Sequence, residues 1–272
     1  RRRLLDMLRV FEAIEYLQPA ERGLNRPILL RGRTGEGEVA SLFVKTRAGY
    51  GDRPSAPGVE CLATLLARHL GLTAPEPVCV EMPKGFDRFI SDAPVHRELV
   101  RLSPGLNFGT VALGADWKTW PVGMSTRAFP DDLFERIMVF DAIVQQTDRE
   151  PDNPNLLWRG REIAVIDHEK CFGYLSLAGE TAMPWRAFFG INPFLRHSLR
   201  EAGKRLEPDA GDSFWAELIG LEMDRKIIEI ADATRGAFPE ASVELDRILR
   251  YFDLLNRNLT DFFHYFRHSL SR

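Results

Sequence analysis

Between Thr147 and Glu169 the chain carries an acid, an amide five positions later, and a second acid on the far side of a short apolar hairpin. The stretch runs Thr147-Asp148-Arg149-Glu150-Pro151-Asp152-Asn153-Pro154-Asn155-Leu156-Leu157-Trp158 and closes on Ile166-Asp167-His168-Glu169. Asn155 to Trp158 has the apolar character of a strand, Arg159-Gly160 that of a turn, and Glu162 to Ile166 that of the partner strand. A tight hairpin returns the chain to the level from which it left, so Asp167 is expected beside Asp148 and Asn153. Two acids and an amide at one point can accept a proton and hold a divalent cation. The competing reading is a polar loop with a capping acid, because Asp, Asn and Pro are ordinary turn residues.

Upstream residues bear on the choice. Val39-Ala40-Ser41-Leu42-Phe43-Val44-Lys45 has the β-branched, apolar make-up of a strand and ends on a lysine. Before it, after the apolar run Pro27 to Leu30, Arg31 to Glu38 forms a turn bearing Gly32, Gly35 and Gly37. Such a turn lets phosphate approach the backbone, but it is not G-x-G-x-x-G, has no Walker lysine and carries two glutamates, so a plain hairpin tip stands level with it. A Gly/Pro/Ser-rich connection from Gly49 to Gly58 leads to a helix containing Glu60, with Leu62, Leu65, Leu66 and Leu70 at helical spacing and Gly71 as its stop. Glu60 is expected in the first turn, where the helix dipole alone would explain a carboxylate.

These segments resemble the HipA-like kinase family, bacterial relatives of the toxin kinase within the protein-kinase and phosphoinositide-kinase-like group. Phe43-Val44-Lys45, Glu60 with Ala63 to Leu72, Gly105 to Thr110, Phe140-Asp141-Ala142, Asp148-Arg149, Asn153 to Leu157 and Ile166 to Glu169 carry the resemblance, from about Pro27 to Phe172. The Asp148 to Asn153 interval is that of the kinase catalytic loop, D-x-x-x-x-N. The resemblance implies an α+β, two-lobed protein-kinase-like fold: a β-rich N-terminal lobe and a mainly helical C-terminal lobe. It implies ATP and magnesium as cofactors, Lys45 on the phosphates with Glu60 holding it, Asp148 as the catalytic carboxylate that accepts or orients the proton of the acceptor hydroxyl, and Asp167 as a metal ligand. The amide ligand is either Asn153, which has the kinase interval and is preferred on that ground, or Asn155, which directly precedes the Leu-Leu strand. Two positions depart from the family pattern. Gln146 stands where Asn is usual and keeps an amide, whereas Glu150 stands where His is usual and adds negative charge beside the phosphate path.

The implied activity is phosphoryl transfer, foremost to a Ser or Thr hydroxyl of a protein. A catalytically silent nucleotide-binding or interaction module is the alternative, and a small-molecule or lipid kinase is a third reading. Composition is compatible with an intracellular enzyme. The 272 residues and 44% hydrophobic content suffice for two cores. A net charge of -3 and an isoelectric point near 6.1 argue against a dedicated nucleic-acid binder. Cys61, Cys79 and Cys171 lack C-x-x-C spacing and read as reduced thiols, the histidines form no zinc pattern, and no window is apolar enough for a membrane span, so the expected location is cytoplasmic. The chain does not open on Met, so a longer natural N-terminus is expected.

The expected organisation is an N-terminal helix and nucleotide-binding lobe over 1–113, then a catalytic lobe over 114–272. Arg1-Arg2-Arg3 precedes a segment in which Leu4, Leu8, Phe11 and Ile14 share a helical stripe. The connector Gly114 to Arg127 is rich in Trp, Gly and Pro, and the adenine edge is placed in Phe108 to Trp117 by the resemblance. Pro130-Asp131-Asp132 starts a helix with Leu133, Ile137, Phe140 and Val144 on one face. Trp185 to Gly190 reads as core packing rather than a base-stacking surface. Leu245, Ile248, Phe252, Leu255, Leu259, Phe262 and Phe266 trace the buried face of one or two closing helices, with a dimer or partner surface as the rival.

Overall fold

The computed structural model describes residues 7–20, 25–175, 183–206, 211 and 223–271. Strands dominate the N-terminal part and helices the C-terminal part. Contacts divide the chain into two compact units, one of Arg1–Leu65, Pro75–Gly114 and Glu229–Val243, the other of Leu66–Ala74, Ala115–Ile228 and Glu244–Arg272.

The first unit is built on a closed barrel of β1 (Val10–Pro19), β2 (Ile28–Thr34), β3 (Val39–Lys45), β4 (Pro77–Met82) and β5 (Gly105–Val111), in the order β1-β2-β3-β5-β4. Between the strands lie α1 (Ala56–His69) and α2 (Pro94–Arg101). Phe11, Leu30, Leu42, Val44, Val78 and Val80 fill the barrel.

The expected N-terminal helix is a strand over Val10–Pro19. Leu8, Phe11 and Ile14 fit a helical stripe, but burial alternates instead: Phe11 and Ala13 are buried while Val10 and Ile14 are exposed. Barrel closure decides the conformation, because β1 pairs antiparallel with β2 and parallel with β4, using backbone groups that a helix would satisfy internally. Leu4 and the three opening arginines lie outside the described residues.

Two further details differ from expectation. α1 starts at Ala56, so Glu60 lies beyond its first turn and the dipole reading does not account for it. The helix accepts Gly58 because a Cβ there would run into the Ala241 methyl group. The glycine-bearing turn is an ordinary hairpin tip: the N–H of Gly37 is spent on the Thr34 carbonyl and that of Glu38 on the Thr34 hydroxyl.

The second unit holds a three-stranded sheet of β6 (Lys118–Thr119), β7 (Leu156–Arg159) and β8 (Glu162–Val165), ordered β6-β7-β8. The hairpin has the expected form, turning at Gly160 with φ 59°. The connector expected before it supplies its edge strand β6. α3 (Asp131–Ile143) is buried almost all round in its second half, more than a one-faced helix allows. After it come α4 (Pro184–Gly190) and α5 (Arg200–Gly203), then α6 (Met223–Ala237), which from Glu229 onward belongs to the first unit, and finally α7 (Ser242–Arg257) and α8 (Leu259–Leu270). Trp185 and Phe189 of α4 pack with Tyr251, Phe262 and Phe266, and buried Phe188 packs on Phe189, so both aromatic stretches are core. All three cysteines are free and buried, and burial pushes the Cys79 thiol up to about 12. Among the described residues no helix is long and apolar enough to cross a membrane.

Candidate active site

In the first unit, β3 delivers Lys45 and α1 delivers Glu60. Lys45 Nζ lies 2.8 Å from Glu60 Oε1, with the two side chains only 13% and 4% exposed. Tyr50, in a short 3-10 turn before α1, donates its hydroxyl to Glu60 Oε2 at 2.8 Å. Both carboxylate oxygens are thereby engaged, which fixes the plane of the acid and the place of the ammonium. A buried ion pair contributes little net stability after desolvation, so its value here is position. Tyr50 was not legible as a partner, because it lies in a connection whose Gly and Pro content carries no periodicity.

In the second unit, the hairpin brings the predicted acids and amides together. Ile166 N–H donates to the Asn155 carbonyl at 3.1 Å, and the Gln146 side-chain amide donates to the Asp167 carbonyl at 2.9 Å. Gln146 Oε1 in turn accepts the Thr147 N–H at 3.1 Å. The amide that departs from the family pattern is therefore a clamp between the Asp148 loop and the Asp167 strand end. The side-chain nitrogens of Asn153 and Asn155 both face the Asp148 carbonyl, at 3.4 and 3.3 Å. Each orientation turns the amide oxygen, the atom a hard cation would take, away from that contact. Asn153 is exposed and locked to Glu150 by a two-bond bridge, whereas Asn155 is buried at the entry to β7. Asn155 and Asp167 both have left-handed backbones, with φ 47° and 58°, a conformation that Asn and Asp tolerate better than most residues.

Asp148 sits where these contacts converge. Its Oδ2 is 3.1 Å from Lys170 Nζ, while Oδ1 is buried with no hydrogen-bond partner among the described residues. Desolvation raises the Asp148 carboxyl above the usual range, nearby Asp167 adds to the rise, and Lys170 opposes it. A partly desolvated acid with one open oxygen is suited to taking a proton. Lys170 escaped sequence reasoning because it belongs to no motif; only the fold places it on Asp148.

Arg149 anchors the loop from below. It is fully buried and forms a fork with Asp141 of α3, Nε to Oδ2 at 2.7 Å and Nη2 to Oδ1 at 3.0 Å. Its Nη1 donates to the Asn155 carbonyl. His197 Nδ1 accepts the Leu199 N–H, which assigns the ring proton to Nε2, 2.9 Å from Asp141 Oδ2. Burial alone would raise the Asp141 carboxyl, but Arg149 and His197 outweigh it and hold it below its usual value. Glu150, the other departure, directs its carboxylate to Arg196 at 3.0 Å.

A sequence-family model described as HipA-like kinase matches residues 13–178, more than half of the chain. The structure is similar to the crystal structure of the Helicobacter pylori proinflammatory kinase CtkA, with a TM-score of 0.55 at 11% identity, covering 97% of this chain and 100% of that one. At that identity the likeness is one of fold. No curated protein matches the chain in sequence.

Proposed function

The chain belongs to the HipA-like kinase family, and from that premise we propose that it is an ATP- and magnesium-dependent phosphotransferase acting on a Ser or Thr hydroxyl of a protein. The observation that carries this reading is Asp148, with one carboxylate oxygen on Lys170 and the other without a hydrogen-bond partner among the described residues. In this reading the Asp148 carboxylate takes the proton of the acceptor hydroxyl as its oxygen attacks the γ-phosphorus and the bond to the departing ADP breaks. Lys45, held by Glu60, places a fixed positive charge on the α- and β-phosphate oxygens. Residues up to 113 serve the nucleotide and residues 114–272 the transfer.

The donor set fits magnesium, since Asp167 and an amide oxygen are hard ligands and no thiolate or imidazole competes among the predicted site residues. Bound there, magnesium supplies neutralisation of charge building on the β- and γ-phosphates. Asn155 is the better amide ligand of the two, because it is buried and backbone-bonded next to Asp167, whereas Asn153 is tied to Glu150.

A thermal-shift titration with Mg-ATP tests the nucleotide role. At a hundred times the dissociation constant, ligand adds about 2.7 kcal/mol to unfolding free energy. Wild type and Asp148→Ala are expected to shift alike, and Lys45→Met to lose most of the shift. Transfer of label from γ-labelled ATP to lysate proteins, with ATP hydrolysis followed alongside, is expected in wild type and absent in Asp148→Ala. The Lys170 contact also favours a second reading, a silent module whose Asp148 is permanently occupied. Mg-ATP binding with neither hydrolysis nor transfer would establish that module instead.

A further inference from the structure

The second unit contains a cleft of about 600 Å³ beside the Asp148 loop that the phosphoryl-transfer residues do not use. Its cationic lining is Arg127, Arg196, Arg200, Lys204 and Arg205, against one carboxylate, Glu201. Some of that charge is answered: Lys204 pairs with Glu201, Arg205 with Asp131 and Arg196 with Glu150. Arg127 and Arg200 have no ion pair among the described residues, so the cleft keeps unanswered positive charge. Apolar side chains are interspersed with it. Val122 and Leu195, both in the lining, are 70% and 46% exposed.

The cleft is mechanically tied to the loop. Pro151, three residues after Asp148, lines it. Ser198, also in the lining, donates its backbone N–H to the Arg149 carbonyl at 2.8 Å and its hydroxyl to the same oxygen at 3.1 Å. The Arg196–Glu150 pair makes another link. A ligand lodged here lies against the segment that carries Asp148.

We propose that this cleft docks an acidic segment of the protein acceptor, one in which carboxylates alternate with apolar residues, and so selects acidic sequences near the phosphorylated hydroxyl. The proposal rests on the protein-kinase reading and names its substrate class. Charge complementarity argues for the carboxylates, and the exposed Val122 and Leu195 argue for apolar neighbours. A single-stranded nucleic acid is the poorer occupant, because it needs exposed aromatic faces for stacking. Trp120 is the one aromatic in the lining apart from His197, and it is only 3% exposed. The substitution of Glu150 also acquires a meaning here, since its carboxylate is turned to the cleft cation Arg196 rather than left uncompensated.

The test is fluorescence anisotropy, without nucleotide, using a labelled peptide of alternating Glu and Leu around one Ser, its Lys-for-Glu counterpart, and an RNA oligonucleotide of equal negative charge. Wild type is expected to bind the acidic peptide, to ignore the basic one, and to weaken as salt rises. The double variant Arg127→Glu/Arg200→Glu is expected to lose at least about tenfold in affinity, with an unchanged melting temperature reporting its fold. Glu201→Lys, which removes the one opposing carboxylate, is expected to bind more tightly. Failure of wild type to bind the acidic peptide, indifference of both variants, or tighter binding of the RNA would overturn the proposal. Mg-ATP thermal shift and γ-label transfer, run on the same preparation, report on the kinase reading separately, because peptide capture needs neither.

Discussion

Asp148 and Lys170 form the contact through which a single residue sets the chemistry. Lys170 lowers the Asp148 carboxyl against the rise produced by desolvation and Asp167. Removing its charge therefore leaves the acid protonated to higher pH. Lys170→Met is expected to move the acidic limb of the kcat/KM profile upward in pH, with Lys170→Arg restoring it. A lysine that merely packed would change the rate without moving the limb. The two amides make a second residue-scale prediction. Asn155→Ala should raise the magnesium concentration needed for ATP binding, whereas Asn153→Ala should leave it nearly unchanged; the reverse result would restore the kinase interval as the guide. How far these residues were legible follows from their chemistry. Asp148 stands at a countable interval from Asn153, Asp167 follows from the hairpin, and Lys45 and Glu60 are recognisable only by their order on a strand and a helix. Tyr50 on Glu60, Lys170 on Asp148 and His197 on Asp141 act from segments with no period, so only the folded chain identifies them.

At the scale of elements, several buried polar contacts of the second unit hold one loop. α3 contributes Asp141, the loop contributes Arg149, and the segment before α5 contributes His197. Tyr251 of α7 donates to the Ile143 carbonyl at 2.8 Å, just before the loop. Asp141→Asn should leave Arg149 buried without its counter-charge, and breaking such a pair costs about 3–5 kcal/mol. Chemical denaturation should show that loss as a lower midpoint, and Asp148→Asn, at the same loop, should not share it. Elements were legible where local pattern and tertiary demand agreed. The β7–β8 hairpin has strands on either side of Arg159-Gly160, and β3 ends on Lys45 as its composition indicates. The chain from Val10 to Pro19 misled because Leu8, Phe11 and Ile14 satisfy a helical spacing over too short a window. Only the partners β2 and β4, distant in sequence, make it a strand.

For the molecule as a whole, two acids set opposing demands on pH. Asp141 is held below its usual value by Arg149 and His197, so it contributes stability above its unfolded pKa and loses it as pH falls through the folded value. Asp148 is raised, so its contribution is fully present below its unfolded pKa and is lost as pH rises through the folded value. Both unfolded values lie near about 4. Together they oppose each other: stability falls in acid as Asp141 takes up its proton, and falls again as rising pH carries Asp148 through its folded value. The second fall is the stability cost of keeping a charged, partly desolvated acid where the chemistry needs it. Asp148→Asn removes that cost, and at neutral pH the ligand-free variant is expected to equal wild type or exceed it by about 1 kcal/mol while losing phosphoryl transfer. Melting temperatures of wild type, Asp148→Asn and Asp141→Asn across the acidic to neutral range check the prediction. Both variants should approach wild type in acid and depart from it toward neutral pH in opposite directions, Asp141→Asn falling below it and Asp148→Asn matching or exceeding it. Destabilisation by Asp148→Asn at neutral pH would mean that the Lys170 pair outweighs desolvation, and that Asp148 is a structural anchor instead of a strained base.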